Sequence, residues 1–126
     1  MTKRFHNIKI GQEAEATAVS FLKKKGFKIL YKNYRTPVGE IDIIAKEKDT
    51  IVFIEVKART STYYGLPKEA VTAKKQQQII KTALWYLKEK QLHNKSKIRF
   101  DVIAILLTNN KTKIEHIKEA FQAKND

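Results

Sequence analysis

Between Gly39 and Lys57 the chain reads GEIDIIAKEKDTIVFIEVK, and this stretch constrains the fold more than any other. Ile41 to Ala45 and Ile51 to Val56 are dense in Ile, Val and Phe, side chains that suit a pleated, buried surface. Lys46 to Thr50 supplies a polar turn, so the expectation is a β-hairpin. Carboxylates interrupt both apolar runs, Glu40 and Asp42 in the first and Glu55 in the second. Alternation along a strand puts Glu55 and Lys57 on one face, ~6.6 Å apart along the chain. Hairpin pairing can bring Asp42 beside them. Two acids and a lysine would then share the edge of an apolar sheet. An ionised carboxylate is costly there without a partner, and a divalent cation is one such partner.

The length of 126 residues fits a single domain over residues 1–126, large enough for a modest core. A hydrophobic share of 42% argues against disorder. No apolar run approaches the ~18 residues of a membrane span. No apolar segment follows the basic start, so no secretory signal is expected. The absence of cysteine excludes thiolate zinc sites and cysteine catalysis, and fits a reducing, cytoplasmic location. Twenty-six Lys and Arg against thirteen Asp and Glu give a net charge of +13, which favours a polyanionic partner. Nucleic acid is the first candidate. An anionic membrane ranks below it, because no long basic helix shows an aromatic face. The plain alternative is a lysine-rich proteome.

In chain order, Met1 to Asn7 reads as a flexible basic arm, and a helix runs from about Ile8 to Lys25, ending at Gly26. Helical spacing puts Ile8, Gly11, Ala18, Val19 and Leu22 on one stripe with Glu15 in its middle, while Glu13 falls on the opposite face. A glutamate centred in an inward stripe needs a reason: either a site or an interior Lys or Arg. Phe27 to Tyr34 reads as a strand, and Arg35 to Gly39 as a loop in which Arg35 either meets phosphate or is solvated. After Lys57, the loop Ala58 to Pro67 carries Arg59, Tyr63 and Tyr64. These residue types suit phosphate contact and base stacking, though a tyrosine there can equally pack over the core. A second helix follows from Thr72, its N-cap, to Lys90, with Gln76, Ile79, Ile80, Ala83 and Leu87 on one stripe. Lys74 and Lys75 sit in its first turn, where the helix dipole disfavours cations. Either they hold a phosphate or they form a solvated cluster. Ile98 to Leu107 reads as a buried strand parallel to the Ile51 strand. Its Asp101 is taken as structural, pairing with Arg99 or Lys57 or capping the strand end. Lys113 to Ile117 is a short edge strand, and residues from about 118 to 126 are a frayed tail. His6, His93 and His116 follow no ligand spacing and are read as surface residues.

An acid in an apolar strand followed by an Asp/Glu-x-Lys tripeptide on the next strand resembles the signature of the PD-(D/E)xK nuclease superfamily. Asp42 matches the first acid, and Glu55, Val56 and Lys57 match the tripeptide. Ile41 stands where the superfamily has proline. GQEAE, GEIDIIA, FIEVKART, YYGLPKEAV followed by KKQ, and RFDVIAI look like the YraN-like bacterial proteins, which resemble archaeal Holliday junction resolvases. The resemblance implies a restriction-endonuclease-like fold: a mixed central β-sheet flanked by helices, with an α-β-β-β-α-β core. It implies Mg²⁺ or Mn²⁺ held by Glu15, Asp42, Glu55 and the Val56 carbonyl, with Lys57 catalytic and Gln76 in a supporting role. It also implies structured or branched DNA as substrate and a homodimer. The competing expectation is a nucleic-acid-binding protein of the same fold without turnover; RNA or ribosome binding is a third.

Overall fold

The structure, a computed structural model, describes residues 3–59, 71–92, 95–107 and 111–123, with side chains from residue 11 onward. The hairpin forms as expected. Strand β2 (Gly39–Glu47) pairs antiparallel with β3 (Thr50–Arg59) through a turn tighter than expected, only Lys48 and Asp49, with Lys48 at φ 55°. Strand β1 (Lys28–Thr36) pairs antiparallel with β2 across a second two-residue turn at Pro37 and Val38. This converts most of the expected Arg35–Gly39 loop into strand. Thr36 holds the turn, its Oγ1 donating to the Gly39 carbonyl and accepting from the Val38 N–H.

Helix α1 (Lys3–Lys24) precedes β1, and α2 (Ala73–Glu89) leads into β4 (Lys97–Leu107), which lies parallel to β3 as a crossover requires. Strand β5 (Thr112–Phe121) closes the far edge antiparallel to β4, giving the sheet order β1-β2-β3-β4-β5. The α/β architecture carries the expected α-β-β-β-α-β core with β5 added.

The two helices cover opposite faces. In β3, Ile51 and Phe53 join the α2-side core of Ile79, Ala83, Tyr86 and Leu87, while Val52 and Ile54 join the α1-side core of Ala14, Ala18 and Leu22. Strands buried on both faces read as continuous apolar runs, which is the pattern of β3 and β4. Thr72 caps α2, its hydroxyl accepting from the Lys75 N–H at 3.2 Å. Gly26, at φ 92°, ends α1: its N–H bonds Lys23 and the Phe27 N–H bonds Leu22, a Schellman pair.

Three expectations need correction. Helix α1 begins at Lys3, not Ile8, because no Gly or Pro before Gly11 stops it from propagating back into the expected arm. Strand β5 extends to Phe121, well into the expected frayed tail; residues 124–126 lie outside the described residues. His116 is not a surface residue: its side chain is 4% exposed, packed against the rings of Phe21 and Phe27.

Candidate functional site

The hairpin pairing stops short of the acids. The β2–β3 register runs from Glu47↔Thr50 to Ile43↔Ile54 and ends there, one position before Asp42 and Glu55. Side-chain alternation also breaks in β2, since Ile41 belongs to the α2-side core and Ile43 to the α1-side core. Where the strands part, the Asp42 carboxylate takes a main-chain role: its Oδ2 accepts from the Val56 N–H at 2.8 Å. Asp42 is thereby fixed against the strand that carries Glu55.

Gly39 sets the approach of β2 to α2. A Cβ there would lie 2.6 Å from Gln78 Cγ and 2.7 Å from Thr82 Oγ1. With its φ of 153°, only glycine lets the strand start this close beneath the helix.

Glu55 is buried on the α2 side of β3, following Ile51 and Phe53. Its Oε2 lies 3.8 Å from Lys57 Nζ and 3.7 Å from Lys75 Nζ in the first turn of α2. Burial, then a hydrogen bond and like charge from Asp42, push its carboxyl up to about 8 against the pull of the two lysines. So placed, the Glu55 carboxyl either keeps its proton or receives a cation in its place.

Glu15 comes from the other face. It is half-buried on α1 between Ala14 and Ala18, whereas Glu13 is exposed, as helical phase requires. Burial first, then the charges of Asp42 and Glu40, raise its pKa. Its Oε1 is buried with no hydrogen-bond partner among the described residues. Beside it lies a cavity of about 340 Å³ lined by Gln12, Lys32, Asn33 and Ile43. No sequence signal beyond polarity marked Gln12, Lys32 or Asn33.

Asp42, Glu55, Lys57 and Lys75 thus come together, and Glu15 stands within electrostatic reach of Asp42 from across the sheet. Among the described residues, no three acidic or histidine side chains stand close enough to form one metal-holding group. Asp42 and Glu55 fit two oxygen ligands of a hard cation. Of Val56, the group engaged by the site is its N–H. Gln76 spends its amide on the Val71 carbonyl at 3.1 Å, fastening the entry to α2.

Among the expected nucleic-acid contacts, Lys74 is exposed at the start of α2 beside Lys75. Arg35 pairs with Glu40 across the β1–β2 turn at 3.4 Å, both largely exposed. Arg59 ends β3 half-buried. Tyr63 and Tyr64 lie outside the described residues. Asp101 is structural, as expected, with Arg99 as its partner rather than Lys57.

The fold and site define a basic α/β protein with a carboxylate–lysine cluster at a parted strand pair. The sequence profile of the Uncharacterised protein family UPF0102 matches residues 14–105, and the chain belongs to that family. A UPF0102 protein of Clostridium botulinum (strain Kyoto / Type A2) is 51% identical over 118 residues, covering 92% of this chain and 96% of the relative. UPF0102 proteins of Geobacter metallireducens and Syntrophotalea carbinolica are 48% and 43% identical, covering 93% of this chain and 95% and 94% of theirs. Among the described residues no helix is long and apolar enough to cross a membrane.

Proposed function

We propose that this protein is a metal-dependent DNA endonuclease of the PD-(D/E)xK kind, hydrolysing phosphodiester bonds in branched or otherwise structured DNA. The observation that carries the reading is the Asp42–Glu55 pair. A chain of net charge +13 presses two carboxyl groups together in an apolar sheet, between Lys57 and Lys75. A plain DNA-binding face gains nothing from that negative charge, whereas a cation site requires it.

Asp42 and Glu55 would hold Mg²⁺ or Mn²⁺, with Glu15 reaching it through a water. Such an ion supplies Lewis-acid polarisation of the scissile phosphate and activation of the attacking water. Lys57, on the same face as Glu55, places a point cation where charge builds on the phosphoryl oxygens. Lys75 balances Glu55 and meets phosphate at the first turn of α2. The remaining basic surface gathers DNA through its backbone without reading sequence.

The test is cleavage of a panel of duplex, flap, four-way junction, single strand and RNA, with Mg²⁺, with Mn²⁺ and with chelator. Chelator-sensitive cutting of structured DNA supports the reading; binding without cutting under every metal overturns it. The latter result would favour a nucleic-acid-binding protein of the same fold without turnover. One observation favours that alternative: Glu55 already has two lysine partners.

The helical acid gives a sharper expectation. Glu15→Gln keeps the shape and removes the charge beside Asp42, so metal-dependent cleavage should fall at least ~10-fold, a loss of ~1.4 kcal/mol or more. Glu13→Gln alters an exposed side chain and should leave cleavage within about twofold. Both are assayed side by side at matched Mg²⁺ and salt. Equal effects would remove Glu15 from the site.

A further inference from the structure

Helix α2 buries Ile79, Thr82, Ala83, Tyr86 and Leu87, and its outward face is left uncovered among the described residues. Along that face Lys74, Gln78, Lys81, Trp85 and Lys88 follow one another at spacings of four, three, four and three. They form a straight stripe that starts beside Lys75 and Glu55 and runs ~21 Å away from them. Trp85 is 41% exposed and its neighbour Leu84 44%. No ring packs against Trp85 among the described residues, and Lys74, Lys81 and Lys88 have no carboxylate partner there. The helix's one acid, Glu89, is turned to the sheet, accepting from the Tyr34 hydroxyl at 3.1 Å. At its start the stripe opens into a groove of about 610 Å³ lined by Val38, Lys74, Lys75, Gln78 and Lys81.

Lysines repeated every ~10.5 Å with an exposed indole between them match a ligand that offers periodic negative charge and flat apolar faces. A second copy of the chain is a poor match. A two-fold contact would set this lysine stripe against itself, in a protein already at +13. Intact duplex is also a poor match, because its bases are stacked on one another and offer the indole only phosphates.

We propose that the outer face of α2 binds an unpaired DNA strand leading away from the cleavage site. Lys74, Lys81 and Lys88 hold its phosphates and Trp85 stacks on a base. The preferred substrate is then a duplex carrying a single-stranded arm. This rests on the nuclease reading for the nature of the polyanion and adds which part of a structured DNA is grasped.

Trp85 is the only tryptophan of the chain, so its fluorescence reports the contact without a label. The full-length protein is titrated in chelator with a blunt duplex and with the same duplex bearing an oligo-dT arm, and binding is followed in parallel by anisotropy of the DNA. The armed duplex should quench Trp85 and the blunt one should not. Trp85→Ala should weaken binding of the armed duplex on the order of tenfold, leave the blunt duplex within about twofold, and be largely rescued by Trp85→Phe. Lys81→Glu with Lys88→Glu should likewise weaken the armed duplex more than the blunt one. Binding of both duplexes with Trp85 silent, or equal losses on both in Trp85→Ala, overturns the assignment while leaving the nuclease reading intact. No binding of either DNA overturns both. A concentration-dependent shift of Trp85 emission without DNA, matched by dimers in sedimentation, gives the face to a second copy and overturns the assignment.

Discussion

Asp42→Asn and Glu55→Gln should each abolish metal-dependent cleavage while DNA affinity is kept or slightly increased. Under the proposed function, each removes one ligand oxygen charge from the carboxyl pair at the parted strands, and each lowers repulsion toward phosphate. The fall in turnover should be at least ~100-fold, beyond the ~10–100-fold cost of losing an outer-shell partner of a metal. The fold should survive both changes. Asn at position 42 keeps an oxygen to accept the Val56 N–H, and Gln at 55 keeps the shape of the buried side chain. Stability of the metal-free protein separates a site from a structural pair through its pH dependence. The folded Glu55 holds its proton up to about 8, whereas the unfolded chain releases it near 4.5. Between those values the folded state binds more protons, so metal-free stability falls as pH rises across that window. Glu55→Gln has no such proton to lose. Its melting temperature should match wild type at pH ~3.5, below the unfolded value, where Glu55 is protonated in both states, and exceed it near pH 8. Melting scans over that range with chelator present make the comparison. A large drop in melting temperature in both variants at every pH would make the two acids structural partners of Lys57 and Lys75.

The hairpin, its acids and the N-cap of α2 were legible in the chain because each is local. A period of two assigns faces within β3, so Glu55 and Lys57 on one side follow from the sequence alone. Helical phase likewise separates Glu15 from Glu13. What was not legible depends on partners far apart in sequence. Nothing near Glu55 announces that Lys75, twenty residues on, will stand 3.7 Å from it; the first-turn lysines read as phosphate ligands or as a solvated cluster, not as partners of a buried acid. The parting of β2 from β3 at Asp42 is a break in pairing, and the apolar pattern IDIIA runs through it unmarked. Strand β5 was cut short for a related reason. Its register against β4 shifts between Phe100 and Val102, and Glu119 takes φ 52°, so alternation fails after Ile117 although the strand continues. His116 was misread because its partner lies fifteen residues back on a neighbouring strand.

That partner, Asp101, gives the second large effect. It is fully buried on the α1 side of the sheet, the face opposite Glu55, and four donors meet its two oxygens. Arg99 donates through Nε and Nη2 at 2.8 and 2.9 Å, the Glu119 N–H at 3.0 Å, and His116 Nε2 lies at 2.7 Å. Arg99 continues to Glu47 at 2.9 Å, and Glu47 to Lys118 at 3.1 Å, so the network ties β2, β4 and β5 together. Burial alone would raise the Asp101 pKa, but His116, Arg99 and the Glu119 N–H outweigh it and hold the carboxyl below its ordinary range. Asp101→Ala leaves the Arg99 guanidinium with Glu47 alone, strips the buried His116 of its carboxylate and leaves the Glu119 N–H unpaired. The expected loss is ~3–5 kcal/mol, the cost of breaking a buried pair by removing one member, or roughly 10–20 °C in melting temperature for a chain of this size. A group whose folded pKa is depressed stabilises above its unfolded value and loses that contribution as pH falls through the folded one. The gap between wild type and Asp101→Ala should therefore be constant near neutrality and close only in acid, below pH ~4. DNA affinity and cleavage, measured well below the lowered melting temperature, should stay near wild type, because the variant leaves the opposite face intact. A loss under ~1 kcal/mol would mean that water replaces the carboxylate and that β5 is held by its ladder alone.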